Sequence, residues 1–163
     1  LQKNHKIIVD VFAELAKDRP DTKLMLVGDG RLRQEIQQYV DDMGLRSKVI
    51  FAGIREDTQS LLSAMDVFLM PSLYEGLPVS GIEAQCSGLK CVMSDTITNE
   101  VNITNRATFL NLNESKKKWA NALLENLAKK SDRINMYKQI EGTDFDIKKS
   151  AKDFENMYVR LYK

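Results

Sequence analysis

Residues 67–87 read VFLMPSLYEGLPVSGIEAQCS, and this stretch contains the parts of a strand–loop–helix unit. The apolar run at residues 67–71 has the length and composition of a buried strand. Residues 78–87 begin with a proline suited to a first helical turn and end before Gly88. Between these segments lies a short loop that carries Glu75 and Gly76. The stretch therefore predicts a strand that passes through a polar loop into a helix.

The same alternation continues on both sides of this unit. Apolar runs predict further strands at residues 24–28, 49–53, 91–94 and 108–112. Amphipathic segments predict helices at residues 31–43 and 57–65, the second with Asp57 as its N-cap, and wholly helical segments at 114–130, 131–140 and 145–163. Strands that alternate with helices at this spacing require parallel crossovers. We therefore expect one α/β domain over residues 1–163, a Rossmann-like doubly wound parallel sheet flanked by helices.

The beginning of the chain is helical in pattern, at residues 4–16. A doubly wound sheet starts with a strand, so we expect the first strand of this fold to lie before Leu1.

Composition excludes several classes of protein. The 163 residues include 24 Lys and Arg against 23 Asp and Glu, and a net charge of +1 disfavours a dedicated nucleic-acid binder. No apolar run approaches the ~20 residues of a membrane-spanning helix. The cysteines, Cys86 and Cys91, are too few for a disulfide scaffold, and the start of the chain lacks a signal-peptide pattern. We expect a cytoplasmic protein with two buried thiols.

Candidate site residues follow the predicted strands, because doubly wound sheets bind ligands beyond the carboxyl ends of their strands. Free N–H groups at the helix start after Gly76 suit a phosphate. The carboxylates of Glu75 and Glu83 suit sugar or ribose hydroxyls, which are hydrogen-bond donors. Spacing alone leaves an alternative open, in which Glu75 caps the helix and Glu83 is a surface residue.

The Glu75-x7-Glu83 pattern resembles the signature of family-4 retaining glycosyltransferases of the GT-B fold, in the style of capsule and exopolysaccharide enzymes. Three other blocks are similar to the same family in the same order: residues 26–32 (LVGDGRL), 49–57 (VIFAGIRED) and 91–101 (CVMSDTITNEV). The resemblance covers about residues 1–112. It implies the C-terminal, donor-binding half of such an enzyme.

Residue roles follow from the resemblance position by position. Glu75, with the backbone of Gly76 and Leu77, is implied to contact the donor sugar and the diphosphate at the catalytic centre. Glu83 is implied to hold the ribose hydroxyls, and Lys3 to neutralise the diphosphate as the lysine of the family's Arg-x4-Lys pair. The further positions implied near the donor are Gly28, Gly30, Ile54, Arg55, Tyr74 and Glu100. The arginine of the pair would precede Leu1.

The resemblance also implies the reaction. A hexosyl unit would pass from a nucleoside diphosphate sugar, with uridine as the commonest base, to a glycan or lipid-linked acceptor. The acceptor is implied to bind a separate N-terminal domain, so we expect this chain to be inactive alone. No metal or other cofactor is expected, and no protein nucleophile is named, because the family is thought to use the donor phosphate as the base.

The last helix, residues 145–163, resembles the one that crosses back to the N-terminal domain, and its apolar residues are expected to mediate self-association when that domain is absent. Peripheral contact with the inner face of the plasma membrane is a further expectation.

Alternatives remain open at several positions. A non-catalytic doubly wound interaction module would explain the strands and helices but not Glu75-x7-Glu83 with Lys3, and a homologue that binds a nucleotide sugar without transfer is a second alternative.

Arg55 either lies against a base or pairs with a neighbouring carboxylate. His5, the single histidine, either touches phosphate or lies at the surface, and residues 144–146, Asp-Phe-Asp, are a helix N-cap rather than a metal motif.

Overall fold

The computed structural model describes residues 2–128, 133 and 136–162. Five strands and six α-helices alternate over much of this length. The strands are β1 (Leu24–Val27), β2 (Val49–Gly53), β3 (Val67–Met70), β4 (Lys90–Ser94) and β5 (Ala107–Leu110). The helices are α1 (His5–Asp18), α2 (Arg33–Asp42), α3 (Thr58–Ala64), α4 (Val79–Cys86), α5 (Lys116–Ala128) and α6 (Ile147–Leu161). Short 3-10 turns lie at Arg46–Lys48, Asn99–Val101 and Met136–Gln139.

All strand pairs within the named strands are parallel, which confirms the predicted fold class. Hydrogen bonds divide the strands into two sheets, β1-β2 and β3-β4-β5. The doubly wound order 3-2-1-4-5-6 gives this two-plus-three division when its first strand is not among the paired strands. The carboxyl ends of β3 and β4 are in register, with Met70 opposite Met93.

Two groups of apolar side chains hold the helices to the sheets. In the larger group, α1 packs on α5, where Phe12 and Trp119 are buried, and Trp119 also donates its indole N–H to the Asn111 carbonyl at 3.2 Å. In the smaller group, Ile82 of α4 packs with Met93 and Val101. This second group fixes α4 behind the ends of β3 and β4.

The predicted helical tail differs from the structure in its middle part. Within predicted residues 131–140, the described residues 136–139 form a 3-10 turn, and most of the remainder lies outside the described residues. Strand β5 ends at Leu110, two residues earlier than predicted, because Asn111 turns to cap the next turn through its side chain. Helix α6 has no buried residue, and its apolar side chains, Phe154, Met157, Tyr158 and Leu161, are all exposed.

Over the described part of the chain, none of the helices combines the length and apolar character that a membrane crossing requires.

Candidate functional site

The β3–α4 loop is held by the first residues of the described chain. Leu73 N–H donates to the Gln2 carbonyl at 2.9 Å, and the Gln2 side-chain amide donates to the Tyr74 carbonyl at 3.0 Å. Behind the loop, Ser94 and Thr96 donate their hydroxyls to the Ser72 carbonyl at 2.6 and 2.9 Å. The loop is therefore fixed on one side by the segment before α1 and on the other by the end of β4.

Glu75 is the nearly buried carboxylate of this loop, with 9% of its side chain exposed. Lys3 Nζ donates to Glu75 Oε1 at 2.7 Å, and Gln2 Nε2 donates to Oε2 at 3.2 Å. Both carboxylate oxygens are thus engaged by the first turn of the chain. The N-cap position of α4 is Pro78, which makes no side-chain cap, so the alternative in which Glu75 caps this helix is wrong.

Lys3 keeps 49% of its side chain exposed while it pairs with Glu75. A cation at position 3 and a carboxylate at position 75 therefore meet just before α4. Such a pair offers an anion-binding group and a hydroxyl acceptor side by side. Sequence reasoning singled out both partners but not their contact, and it missed Gln2, which carried no motif.

Glu83 lies on α4 and is exposed, as a residue that meets a ligand must be. Burial raises the pKa of the nearby Cys86 thiol, and the negative charge of Glu83 raises it further. Cys91 is buried, and burial raises the pKa of its thiol to about 12. The prediction of two buried thiols is wrong for Cys86, which is partly exposed because it is the last residue of α4.

Gly28 and Gly53 join the carboxyl ends of β1 and β2. Gly28 N–H donates to the Gly53 carbonyl at 2.7 Å, and both residues have positive φ angles, 113° and 68°. Glycine adopts this region without the steric penalty of other residues. Asp29 then accepts from the backbone N–H of Gly30 at 2.7 Å and from Arg33 at 3.1 Å. The predicted glycine turn is thus an exposed, self-bonded turn at the end of β1.

Arg55 pairs with Asp57 through two hydrogen bonds of 2.7 Å each. These bonds raise the pKa of the guanidinium and lower that of the carboxyl. The structure therefore shows the pairing alternative for Arg55. Asp57 occupies the N-cap position of α3 but makes no side-chain cap, because its carboxylate binds Arg55. Its predicted position as the N-cap is confirmed, but the side-chain hydrogen bond that usually accompanies this position is absent. The neighbouring Ile54 is 81% exposed.

The remaining predicted positions are also at the surface. Tyr74 is 63% exposed and Leu77 is 41% exposed, on the loop that carries Glu75. Glu100 is exposed on the 3-10 turn Asn99–Val101, and its backbone N–H donates to Thr98 Oγ1 at 3.4 Å. The structure thus brings Lys3 and Glu75 into contact and leaves Ile54, Tyr74 and Glu100 exposed around the ends of the strands.

Polar atoms near this region also lack partners. Asn4 Nδ2 and Ser72 Oγ are buried with no hydrogen-bond partner, and Asn4 has a φ angle of 55° at the N-cap of α1. Buried polar atoms are ordinarily paired, so these two atoms mark the junction of α1 and β3 as a place where donors are available. Sequence reasoning did not find them, since neither residue belongs to a recognised pattern.

The Asp144-Phe145-Asp146 segment is a helix start. Asp146 is the N-cap of α6 and accepts from the backbone N–H groups of Lys148 and Gly142, each at 2.9 Å. The N-cap prediction is confirmed. In the described residues, His, Cys, Asp and Glu form no cluster of three or more that would hold a metal ion.

The chain matches a known protein family over most of its length. The family model described as glycosyl transferases group 1 matches residues 1–129. The chain belongs to this family. The matched residues include the Lys3–Glu75 pair and all of α4.

Two named relatives are bacterial glycosyltransferases. The chain is 42% identical over 122 residues to the putative glycosyltransferase EpsF of Bacillus subtilis, which is 74% of this chain and 32% of EpsF. It is 39% identical over 101 residues to the UDP-Gal:alpha-D-GlcNAc-diphosphoundecaprenol alpha-1,3-galactosyltransferase of Escherichia coli, 58% of this chain and 26% of that enzyme. The chain thus spans about a third or less of these two relatives.

Solved structures of GT-B glycosyltransferases share the fold. HepE of Anabaena in complex with UDP has a TM-score of 0.76 at 22% identity, over 97% of this chain and 46% of HepE. The pneumococcal O-GlcNAc transferase GtfA, in complex with UDP and GlcNAc, has a TM-score of 0.79 at 17% identity, over 99% of this chain and 34% of GtfA. At these identities the likeness concerns the fold of this group 1 glycosyltransferase domain.

Proposed function

We propose that the chain is the donor-binding half of a retaining family-4 glycosyltransferase. The enzyme transfers a hexosyl unit from a nucleoside diphosphate sugar, a UDP-sugar in the first instance, to a glycan or lipid-linked acceptor in bacterial capsular or exopolysaccharide synthesis. The observation that carries the proposal is the 2.7 Å contact between Lys3 and Glu75 at the start of α4. It joins a cation for the diphosphate to an acceptor for sugar hydroxyls.

The relatives support the choice of substrate class. The E. coli enzyme is named for a UDP-galactose donor and a lipid diphosphate acceptor, and the HepE and GtfA structures contain UDP. We propose a single domain that binds such a donor, together with a separate N-terminal domain that binds the acceptor. The reaction belongs to the cytoplasm, where nucleotide sugars are made, with peripheral contact at the inner face of the plasma membrane for a lipid-linked acceptor.

Transfer of the sugar requires that the leaving diphosphate be stabilised. As the bond from the sugar C1 to the phosphate oxygen breaks, negative charge grows on the diphosphate, and preorganised donors lower the energy of that state. Lys3 supplies a positive charge, and the N–H groups of Gly76 and Leu77 supply donors before α4. A phosphate oxygen takes the proton of the acceptor hydroxyl as the new C1–oxygen bond forms on the same face. In this scheme Lys3 and the backbone N–H groups, rather than a metal, counter the growing negative charge.

Other residues recognise the donor without taking part in bond breaking. Glu83 accepts from the ribose hydroxyls, while Ile54 and Arg55 flank the base and Tyr74 the sugar. In this proposal Arg55 lies against the base while it keeps its two hydrogen bonds to Asp57. Paired with Asp57, the guanidinium presents its planar face rather than its edge, which suits stacking.

The test is a calorimetric titration of the chain with UDP, GDP and UDP-glucose. We expect one nucleotide to bind with a Kd between about 1 μM and 1 mM. Lys3→Ala and Glu83→Ala should each weaken binding about tenfold or more, since hydrogen bonds to charged groups contribute ~1.5–3 kcal/mol. Matched controls are Lys6→Ala and Glu125→Ala, which remove the same charges from exposed positions on α1 and α5. The controls should bind like the parent.

A chain that binds no nucleotide would contradict this proposal and favour the non-catalytic interaction module. Binding that survives both Lys3→Ala and Glu83→Ala would place the nucleotide elsewhere and contradict the assigned site. Transfer itself is expected only from a polypeptide that also contains the acceptor-binding domain.

A further inference from the structure

Gln85 is a fully buried amide on the helix that carries Glu83. Residues two apart on an α-helix point about 200° away from each other. Glu83 is accordingly exposed, whereas Gln85 has 0% of its surface accessible and faces the body of the protein. Gln85 carries no recognisable sequence signal, because a glutamine in an apolar helix has no motif of its own.

The Gln85 amide makes four hydrogen bonds. Its Nε2 donates to the Gly81 carbonyl at 3.0 Å and to the Val101 carbonyl at 2.6 Å. Its Oε1 accepts from the backbone N–H and the hydroxyl of Thr104 at 3.3 and 3.0 Å. A glutamine side chain has two donor hydrogens and two acceptor positions, so its capacity is fully used. The partners also fix which end of the amide is oxygen.

Three of these four bonds leave α4 and end on the segment that follows Glu100. Val101, the last residue of the 3-10 turn Asn99–Val101, is fully buried, and a Cβ added at Gly81 would lie 3.2 Å from its Cγ2. The turn is therefore in close contact with α4 through packing and is oriented there by the amide. Glu100 stands on the outside of the same turn and is exposed.

We infer that Gln85 is a positioning residue, which fixes the Glu100 turn relative to the Glu83 helix and so sets the separation of the two carboxylates across the donor site. This inference rests on the proposed function, in which both carboxylates meet the donor. An apolar side chain of the same size would fill the space equally well. The amide additionally orients residues 101–104, because its three bonds to Val101 and Thr104 are directional and must be satisfied together.

Replacing the amide breaks that link while leaving α4 itself intact. In Gln85→Met, the backbone N–H and the hydroxyl of Thr104 lose their acceptor in a buried place, where unpaired polar groups are unfavourable, and the Val101 carbonyl keeps only the Ile103 N–H at 2.9 Å. The segment is then expected to move toward water. Gln85→Glu keeps the size and the acceptor, but its carboxylate faces two carbonyl oxygens. Protonation restores a donor toward Val101, and burial favours the protonated form.

The first experiment needs no ligand and measures amide hydrogen exchange in the chain. Gln85→Met should raise the exchange rates of residues 100–104 about tenfold or more over the parent, and leave amides of α1 and α5 within about twofold. Gln85→Glu should show the same increase at pH 8 and lose most of it at pH 5, with the parent measured at both values. Gln38→Met, at an exposed glutamine of α2, is the matched control. Equal increases throughout the chain, or none at residues 100–104, would overturn the inference.

The second experiment is a double-mutant cycle on UDP-glucose affinity. Gln85→Met and Glu100→Gln should each weaken binding, and together they should weaken it no more than the larger single effect, because one acts through the other. Gln85→Met and Lys3→Ala should instead multiply their effects. Multiplied effects for the Gln85–Glu100 pair would overturn the inference. A parent chain that binds no nucleotide would instead contradict the proposed function, and hydrogen exchange then decides the positioning role alone.

Discussion

Lys3 and Glu75 are 72 positions apart in the sequence, and their side chains meet at 2.7 Å. Gln2 binds the second oxygen of the same carboxylate, so the start of α1 and the β3–α4 loop are joined by both residues. The pair joins the two groups that the proposed function assigns to the diphosphate and the sugar. A diphosphate that takes Lys3 as its counter-ion must therefore compete with Glu75 for it.

Glu75→Gln is expected to strengthen the binding of UDP while it removes the carboxylate from the donor sugar. It releases Lys3 from an ion pair in which the lysine is half exposed, and such a pair contributes ~0.5–1 kcal/mol at most. The expected gain in UDP affinity is about two- to fivefold by calorimetry. In a Lys3→Ala background the gain should shrink, because no cation remains to be released. A Glu75→Gln variant that binds UDP more weakly than the parent would show that the pair does not compete with the diphosphate.

Gly81→Ala is expected to destabilise the protein, although alanine favours helices. A Cβ at this position would lie 2.8 Å from Met93 Cε and 3.2 Å from Val101 Cγ2. Met93 and Val101 are fully buried and have little room to move. Overpacking of this kind costs ~1–3 kcal/mol, which exceeds the ~1 kcal/mol gained from helix propensity. Gly76→Ala, where no atom lies within 4 Å, is the matched control for thermal unfolding. Equal unfolding temperatures for Gly81→Ala and the parent would show that α4 can move away from the turn.

The strands and most of the helices followed from the sequence because their causes are local. An apolar run such as residues 49–53 with helices on both sides favours a strand, and its predicted bounds agree with β2, although only Val49 of these residues is buried. The N-cap at Asp146 was equally local, since a capping carboxylate acts on the backbone within four residues. Periodicity, by contrast, was a poor guide at residues 136–139, where the described segment is a 3-10 turn.

The parts of the candidate site that the sequence missed depend on distant contacts. The Gln2 and Gln85 amides bind partners 73 and 16–19 positions away, and no pattern of residue types marks them. Asp57 illustrates the same difficulty at short range. Its N-cap position was predictable, but the competition between the helix start and Arg55 for one carboxylate was decided by side-chain geometry.

Asp146→Ala is expected to fray the first turn of α6, while Asp144→Ala is not. The Asp146 carboxylate accepts from two backbone N–H groups, which lower its pKa, whereas the exposed Asp144 side chain binds the Lys149 side chain. The folded pKa lies below the unfolded one, so this stabilisation is present above the unfolded value and is lost as the pH falls through the folded value. Amide exchange at residues 147–150 should accelerate several-fold in Asp146→Ala at neutral pH. In the parent the same amides should lose protection below about pH 4. Equal protection in the two variants at neutral pH would rule out a capping role.

His5 is expected to make stability depend on pH just below neutrality. It is the only histidine of the chain and the first residue of α1, and burial lowers the pKa of its imidazole, assisted by positive charge that includes Lys3. The folded state therefore holds fewer protons than the unfolded state, and its stability is present above the unfolded pKa of about 6.5 and declines as the pH falls below it. A bound diphosphate would bring negative charge to Lys3 and reverse this effect, because it favours the protonated imidazole.

The single imidazole makes this measurable by NMR titration. In the ligand-free chain its midpoint should lie below 6.5, and saturating UDP should move it upward. His5→Gln should flatten the unfolding free energy between about pH 7 and pH 5, and it should remove the increase in UDP affinity expected at lower pH. A ligand-free midpoint at or above 6.5 would show that water reaches the ring. A midpoint that UDP leaves unchanged would place the diphosphate away from the start of α1, and so away from Lys3.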